Sequence, residues 1–426
     1  MSKIKAVMGR RVWDSRGMPT VEAEITTQDG KVCRAISPSG ASRGSREAIE
    51  LRDGGNALNG KDVTKALANL NGPIAKALIG LDISDQSTID HALLSLDGSP
   101  FKEVIGGNAV VATSMAALHG GAIVQNKPLW RHISDYYETT PSVPLPEIQI
   151  FGGGAHAGGR VDIQDFMIMV PSASSFDEVM AITSDVYFAA GKIMARKGQQ
   201  AGIADEGGWW PLFNGNEEAL ETLTQAIEDS GHKAGKDVVI SLDIAASEFR
   251  RDGTYRLSLD NKNYTSDEFI TLLGQWIERY PIASIEDPLA EDDREGMIAF
   301  THQFGSKLQI IGDDYLVTNP NLVKQAIADK ATNAVLIKVN QIGTVTEAVE
   351  AFKTARSGGF GTIVSARSGE TEDVTISHLS VGLGAGQLKV GSFQRSERMA
   401  KWNEILRIQD QLGKHNFVGR TPLIRP

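Results

Sequence analysis

The feature that most constrains the fold is an alternation of short apolar segments with amphipathic helices in the second part of the chain. Apolar runs rich in Val and Ile recur there, each followed by a helical pattern; they lie at 166–170, 238–242, 283–285, 309–311, 334–337 and 362–364. Strands this short and this apolar are typical of parallel sheets that helices cover on both faces. The repetition favours a (β/α) barrel over an open doubly wound sheet, although periodicity alone does not separate these two folds.

The first part of the chain follows a different pattern. Three β-type runs, with Asp29-Gly30 marking a hairpin turn, come first and lie at 4–13, 21–27 and 32–36. Helical patterns follow at 48–53, 63–78, 87–96 and 109–125. A polar, proline-bearing stretch at 139–146 is typical of a domain boundary. We therefore predict an α+β domain over residues 1–138 and a barrel domain over residues 139–426.

The composition excludes several classes of protein. The 426 residues carry a formal net charge of −10, which argues against nucleic-acid binding because that function needs a basic face. The one cysteine, Cys33, cannot form an internal disulfide and is predicted to be a buried thiol because its neighbours are apolar. We find no signal peptide and no apolar run near the ~20 residues of a membrane span. These observations predict a cytoplasmic protein with no nucleic-acid or membrane partner.

Ionisable side chains follow almost every predicted strand of the second part. The residues at these strand ends are Asp243, Glu286, Asp313, Lys338, Arg367 and Lys389. In a barrel the carboxyl ends of the strands meet at one mouth, where active sites are built. Three carboxylates at such close range repel one another unless a cation neutralises them, and oxygen ligands suit a hard cation such as Mg²⁺. The alternative is that each carboxylate caps a helix or pairs with a local lysine.

Two lysines are predicted to lie across the mouth from these carboxylates. A lysine in a water-poor pocket beside another cation has a lowered pKa and can act as a general base, so we expect this of Lys338. Lys389 would provide a second positive charge nearby. A hard-metal cluster, an amine base and anion-binding side chains together suit the removal of a proton next to a carboxylate. The alternative for Lys338 is a side chain that extends from a strand end into solvent.

Motifs along the whole chain resemble those of the enolase family. One of them is Asp205-Glu206-Gly207-Gly208, and another is Lys338-Val339-Asn340-Gln341-Ile342-Gly343. The matching segments run in order through the chain and lie at 14–22, 38–42, 205–208, 243–249, 284–288, 312–314, 317–320, 338–343, 367–373 and 395–398. The resemblance implies an N-terminal α+β domain followed by an enolase-type (β/α)8 barrel, whose first strands depart from plain alternation.

The resemblance also implies a metal site and an assembly. Asp243, Glu286 and Asp313 would hold the tighter of two Mg²⁺ ions. The second Mg²⁺ would arrive with the substrate and be held partly by Ser42 on a mobile loop. The family further implies a homodimer or a higher homo-oligomer.

The reaction that the resemblance implies is the loss of water from a small anionic phosphorylated glycerate. Lys338 would remove the proton from the carbon that bears the phosphoryl group. Glu206, assisted by the carboxylate of Asp165, would help the 3-hydroxyl leave as water. The remaining side chains implied at the substrate are His156 on a closing loop, Gln164, Lys389, Arg367 and Ser368.

Several positions differ from the family pattern. Ala366 stands where the family has histidine, Arg43 where it has threonine, and Asp165 where it has glutamate. Gly152 replaces asparagine, and Trp209-Trp210 precede Pro211 where a smaller residue is usual. These changes either alter the choice of substrate or reflect neutral drift in an ordinary member.

The lost bulk at Ala366 and the added guanidinium at Arg43 predict a larger and more anionic phosphorus group on the substrate. This favours a carboxyphosphono substrate, with carboxyphosphonoenolpyruvate as the product, in phosphonate antibiotic biosynthesis. The alternative is a housekeeping enolase that converts 2-phosphoglycerate to phosphoenolpyruvate in glycolysis. A catalytically inactive binding protein and another reaction, such as racemisation, are disfavoured because Lys338, Glu206 and the three carboxylates are all present.

Overall fold

A computed structural model describes residues 2–423, and its first part is a three-stranded antiparallel sheet covered by helices. The strands are β1 (Ile4–Trp13), β2 (Pro19–Thr27) and β3 (Val32–Ile36). The helices are α1 (Thr64–Asn69), α2 (Ala75–Leu78), α3 (Gln86–Leu94), α4 (Gly107–Val124) and α5 (Leu129–Tyr137). The three predicted strands are confirmed. Cys33 on β3 is buried as predicted, and burial raises the pKa of its thiol to about 12.

Helix α4 is the central helix of this part. It packs on β2 and β3, and nearly all of its residues are buried. Among residues 2–423, α4 is the one helix that is long and apolar enough to cross a membrane by length and composition. Since 83% of that segment is buried inside the protein, its apolar character is explained by its place in the core.

Two predicted helices differ from the structure. Residues 48–53 form no helix, because their backbone bonds to other segments: the Ala48 amide donates to the Gln341 carbonyl at 2.8 Å, and the Ile49 amide to the Phe101 carbonyl at 2.7 Å. The helix predicted over 63–78 is interrupted by a π-helical segment, Leu70–Ile74. Pro73 lies in that segment and has no amide hydrogen to continue a regular helix.

The second part alternates strands and helices from Leu145 onward. Its strands are β4 (Leu145–Gly152), β5 (Asp165–Met169), β6 (Gln200–Ile203), β7 (Trp209–Pro211), β8 (Val239–Asp243), β9 (Arg250–Arg251), β10 (Thr254–Leu257), β11 (Lys262–Tyr264), β12 (Ile282–Glu286), β13 (Gln309–Gly312), β14 (Ala334–Ile337), β15 (Gly361–Ser365) and β16 (Gly386–Gly391). Its helices are α6 (Phe176–Lys197), α7 (Glu217–Asp229), α8 (Ser266–Arg279), α9 (Arg294–Phe304), α10 (Pro320–Asp329), α11 (Val339–Ile342), α12 (Val345–Ser357), α13 (Thr375–Leu383) and α14 (Ser396–Leu412).

Eight of these strands close into a barrel. The neighbours run in the order β4, β5, β8, β12, β13, β14, β15 and β16, and β16 pairs with β4 to complete the ring. The predicted barrel is therefore confirmed. The prediction that the strand at 166–170 is parallel is wrong, because β5 runs antiparallel to both β4 and β8. The reason is that the chain returns from β4 to β5 through a short loop, with no crossover helix between them.

The first part of the chain reaches over the carboxyl ends of the barrel strands. The backbone of Ser39 pairs with that of Gly369, which follows β15. Asp90 on α3 accepts hydrogen bonds from the amide and the hydroxyl of Thr346, at 2.9 and 2.6 Å, at the start of α12. These contacts place the loop of residues 37–50 at the mouth of the barrel.

A buried polar network occupies the barrel interior and includes Glu147 on β4. Ser241 donates to one carboxylate oxygen of Glu147 at 2.9 Å, and Gln387 donates to the other at 2.8 Å. Gln387 also exchanges hydrogen bonds with Gln309. Glu147 is fully buried, and burial raises the pKa of its carboxyl above the ordinary value.

We expect the stability of Glu147→Gln relative to the wild type to increase as the pH rises. Because the folded state keeps the Glu147 proton to higher pH than the unfolded chain does, wild-type stability falls as pH rises above the ordinary carboxyl pKa of 4.5. Glutamine has no proton to lose. The free energy of unfolding of Glu147→Gln minus that of the wild type, measured with urea, should therefore be more positive at about pH 8 than at about pH 5. Glu350→Gln, at an exposed position on α12, is the control, and equal differences at the two pH values would contradict the expectation.

Candidate active site

A small, polar cavity lies at the carboxyl ends of the barrel strands. Most of the residues predicted from the sequence for the site line it, and two more lie directly behind the wall. The lining residues among them are Ser42, His156, Gln164, Asp165, Glu206, Asp243, Lys338, Ala366, Arg367, Ser368 and Lys389. Glu286 and Asp313 lie behind the wall and bond to Lys389 and Lys338. The strand-end pattern therefore predicted side chains that the fold brings together.

The three carboxylates and the two lysines form one buried charge cluster. Lys389 Nζ donates to Asp243 Oδ2 at 2.8 Å and to Glu286 Oε2 at 2.7 Å. Lys338 Nζ donates to Asp313 Oδ2 at 2.5 Å, and Gln341 donates to the other oxygen of Asp313 at 2.8 Å. All of these charged side chains are less than a tenth exposed, so each depends on its partners in the cluster for charge compensation.

The predicted lowering of the Lys338 pKa is wrong for this arrangement. Burial acts to lower the pKa of Lys338, but the adjacent Asp313 carboxylate outweighs it, so the pKa is raised above the ordinary lysine value. Lys389 has a pKa well above its ordinary value, because Asp243 and Glu286 outweigh its burial. Both lysines are therefore ammonium ions in this structure.

The donor set of the cluster fits a hard divalent cation. Glu286 Oε1 is buried and has no hydrogen-bond partner among residues 2–423, and the same holds for the side-chain oxygen of Gln164. Burial, reinforced by Asp243, raises the pKa of Glu286 well above its ordinary value. A cation at this place would satisfy the unpaired oxygens and neutralise the carboxylates, and the all-oxygen donor set suits Mg²⁺. The predicted ligands Asp243, Glu286 and Asp313 belong to this cluster, and Asp313 also lies close to the carboxylates of Asp287 and Asp314.

A histidine lies between two carboxylates in the same cavity. His156 Nδ1 lies 3.0 Å from Asp165 Oδ1, and His156 Nε2 lies 3.7 Å from Glu206 Oε1. Burial acts to lower the pKa of His156, but Glu206 and Asp165 raise it to about 9, so the imidazole is protonated at neutral pH. The carboxylate–imidazolium–carboxylate row presents a proton next to Glu206.

Arg367 and Ser368 form the cationic, hydrogen-bonding side of the cavity. Ser368 Oγ accepts from the Ala41 amide at 2.6 Å and from Arg16 at 3.2 Å, which leaves its own hydrogen free to donate. Arg367 donates to Glu47 at 2.8 Å and to the Ser42 carbonyl at 2.9 Å. Its pKa is raised above the ordinary value, because Glu47 outweighs the effect of burial.

The loop that carries Ser42 lies directly on this guanidinium. A Cβ atom added at Gly40 would lie 1.9 Å from Arg367 Nη2, so a side chain at position 40 would prevent the loop from docking here. The loop in this structure is therefore held against the cavity by Arg367.

Two of the residues that depart from the family pattern, Ala366 and Arg43, lie in different places relative to the cavity. Ala366 lines the cavity. The structure does not bring Arg43 into the cavity: the side chain is exposed, and its guanidinium lies 3.4 Å from the Ala48 carbonyl of its own loop.

The Trp209-Trp210 pair lies behind the site and packs against its supports. Trp209 stacks on Tyr187 with ring centroids 4.8 Å apart, and its indole nitrogen donates to the Tyr187 carbonyl at 2.9 Å. Trp210 packs against the loop of His156, where a Cβ at Gly158 would lie 3.1 Å from the indole ring.

Three side chains at the site were not predicted from the sequence. Glu47 bonds to Arg367, Gln341 bonds to Asp313, and Gln149 bonds to Asp165. Gln341 lies within a motif that was recognised, so its motif was a usable signal. Glu147 and Gln149 stand two residues apart in an otherwise apolar run, and this spacing places both on one face of β4. Glu47 has no comparable signal in the sequence, because its partner Arg367 lies in the second part of the chain, 320 residues away.

Comparisons with known proteins cover nearly the whole chain. Residues 4–133 match the family profile described as the enolase N-terminal domain, and residues 140–423 match the enolase C-terminal TIM barrel domain. A curated protein named Enolase 1, from Desulfitobacterium hafniense (strain Y51), is 48% identical over 414 residues. The aligned region covers 96% of this chain and 94% of that protein.

We expect Glu286→Gln to weaken Mg²⁺ binding by at least about tenfold, because it removes a buried charge from the proposed ligand set. Isothermal titration of Mg²⁺ into the wild type and the variant measures this directly. Glu295→Gln, at an exposed position on α9, is the matched control and should bind Mg²⁺ as the wild type does. Equal affinities for Glu286→Gln and the wild type would show that this carboxylate is not a ligand.

Proposed function

Because the chain belongs to the enolase family, we propose that it removes water from 2-phosphoglycerate to give phosphoenolpyruvate, as a housekeeping enolase. Members of this family are carbon–oxygen hydro-lyases, and this chain is an enzyme of that class. The observation that carries the proposal is that one cavity gathers two lysines and three carboxylates together with the Glu206–His156–Asp165 row. A base and an acid within one cavity suit the removal of a proton and a hydroxyl from neighbouring carbons.

Lys338 is the proposed base. Lys338 must first lose its ammonium proton, which a Mg²⁺ ion bound at Asp313 would favour. The neutral Nζ then takes the proton from C2, and the electron pair of the broken C–H bond moves toward the substrate carboxylate. Mg²⁺ held by Asp243, Glu286 and Asp313 would stabilise that negative charge and compete with the Lys338 ammonium for Asp313. Lys389 lies across the cluster and provides a positive charge for the same carboxylate.

Glu206 is the proposed acid. As the C2–C3 double bond forms, the C3–O bond breaks, and a proton from Glu206 completes the departing water molecule. The protonated His156 lies 3.7 Å from Glu206 and is the adjacent source of that proton. Asp165 bonds to the other nitrogen of His156 and stabilises its positive charge.

Arg367 and Ser368 are the proposed phosphoryl-binding residues. The guanidinium and the free hydroxyl hydrogen both donate to phosphoryl oxygens. Gln164 and Ser42 complete the wall toward the substrate, and Ser42 would contact a second Mg²⁺ that arrives with it.

The choice of substrate rests on two observations. Arg43 lies outside the cavity, so its guanidinium provides no charge for an extra carboxylate in this conformation. The relative that matches 96% of this chain is named Enolase 1. Both support 2-phosphoglycerate over the carboxyphosphono substrate of phosphonate antibiotic biosynthesis. The small side chain of Ala366 in the wall favours the larger substrate, so the rates on the two substrates should be compared directly.

The homodimer implied by the resemblance stays a prediction.

We expect the protein with Mg²⁺ to convert 2-phosphoglycerate, and Lys338→Ala to lower kcat by at least about 10³-fold, because it removes the base. The absorbance of the enolpyruvate product measures the rate. Lys330→Ala is the matched control, since Lys330 lies at the end of α10, away from the mouth. Lys338→Ala activity near that of the wild type would exclude Lys338 as the base.

A direct comparison of the two substrates tests the choice between them. We expect kcat/KM to be higher for 2-phosphoglycerate than for its carboxyphosphono analogue, and Arg43→Thr to change both by less than about threefold, because Arg43 lies outside the cavity. A preference for the analogue that Arg43→Thr with Ala366→His shifts toward 2-phosphoglycerate would overturn the proposal.

A further inference from the structure

One buried amide connects the turn that carries the proposed acid with the carboxylate that pairs with the histidine. Gln149 on β4 is fully buried, and its Nε2 donates to Asp165 Oδ1. Its Oε1 accepts from the Gly208 amide at 2.9 Å. Gly208 closes the turn that contains Glu206. Gln149 therefore contacts Asp165 at one end of the Glu206–His156–Asp165 row and the turn of Glu206 at the other, while it does not line the cavity.

The contact with Asp165 determines which way its carboxylate turns. Oδ1 accepts from Gln149 and lies 3.0 Å from His156 Nδ1, whereas Oδ2 has no hydrogen bond within the described residues and lies 3.7 Å from Lys389. Rotation about the last bond of an aspartate would exchange these oxygens. A donor from Gln149 favours the orientation in which Oδ1 faces the imidazole.

The contact with Gly208 determines how closely the Glu206 turn approaches β4. A Cβ atom at Gly208 would lie 2.4 Å from Gln149 Oε1, so the amide bond requires the backbone to come this near. The Ser392 amide, which donates to the Glu206 carbonyl at 2.8 Å, holds the turn from the other side. The position of Glu206 relative to His156 therefore depends on the length of the Gln149 side chain.

We propose that Gln149 is a positioning residue that sets the separation between Glu206 and the His156–Asp165 pair. This inference rests on the proposed function, because it concerns the group that donates the proton to the departing hydroxyl. Gln149 does not line the cavity in which the substrate would bind. Its effect should therefore appear in kcat more than in KM.

Paired changes in side-chain length provide the sharpest test. Gln149→Asn shortens one partner by one methylene group and opens a gap of about 1.5 Å, and Asp165→Glu lengthens the other partner by the same amount. We expect each single variant to lower kcat at least about tenfold with KM within about threefold, and the double variant to recover most of the loss. A residue that only stabilises the fold would not show recovery of kcat in the double variant.

Gln309 provides the matched control. It is a buried glutamine in the interior of the same barrel and bonds to Gln387 rather than to a site residue. We expect Gln149→Leu to lower kcat at least about tenfold, and Gln309→Leu to lower the melting temperature while kcat stays within about threefold. An equal effect of the two on kcat, or a double variant no better than either single variant, would overturn the proposal. If Gln149→Leu does not fold, the single variants Gln149→Asn and Asp165→Glu and their double variant provide the test.

Failure of the proposed function is distinguishable from failure of this inference. If the wild type does not convert 2-phosphoglycerate, crystal structures of the wild type and Gln149→Leu still compare the distance from His156 Nδ1 to Asp165. A lost contact in the variant supports the positioning role, and an unchanged contact together with an unchanged Glu206 position overturns it.

Discussion

The arrangement of the site depends on charge compensation between two buried ammonium groups and three buried carboxylates. Lys389 bridges Asp243 and Glu286, and Lys338 pairs with Asp313. A lone buried charge costs several kcal/mol, so removing one partner would leave the others uncompensated. Cation binding and lysine protonation therefore depend on the same carboxylate oxygens.

The barrel brings these groups together because each follows a different strand. Parallel pairing aligns the ends of β8, β12, β13, β14 and β16 on one side of the ring, so residues far apart in the sequence meet in or directly behind one cavity. The antiparallel strand β5 contributes differently, because Asp165 stands at its beginning rather than its end. Reversal of that strand is what brings Asp165 to the same mouth.

Much of this was predictable from the sequence, and the remainder depended on contacts between distant segments. The barrel and its strand-end residues followed from local apolar runs and the charged residue after each. The direction of β5 did not, since a short apolar run has the same pattern in either direction. The irregular path of 48–53 arises from backbone bonds to Gln341 and Phe101, which no local pattern reveals. The raised pKa of Lys338 likewise depends on the distance to Asp313, whereas a water-poor pocket beside another cation predicts the opposite direction.

The docking of the Ser42 loop on Arg367 has a thermodynamic consequence. The same guanidinium holds Glu47 and the Ser42 carbonyl and also faces the cavity, so a bound anion and the docked loop share one group. If the loop must open to admit a ligand, the measured affinity is the intrinsic affinity reduced by the fraction of molecules in the open state. By reciprocity, any substitution that changes how firmly the loop docks changes ligand affinity by the same free energy, without touching the ligand. Gly40 has no side chain and so allows this docking. It is therefore a determinant of ligand affinity, although the cavity is formed mainly by residues of the barrel.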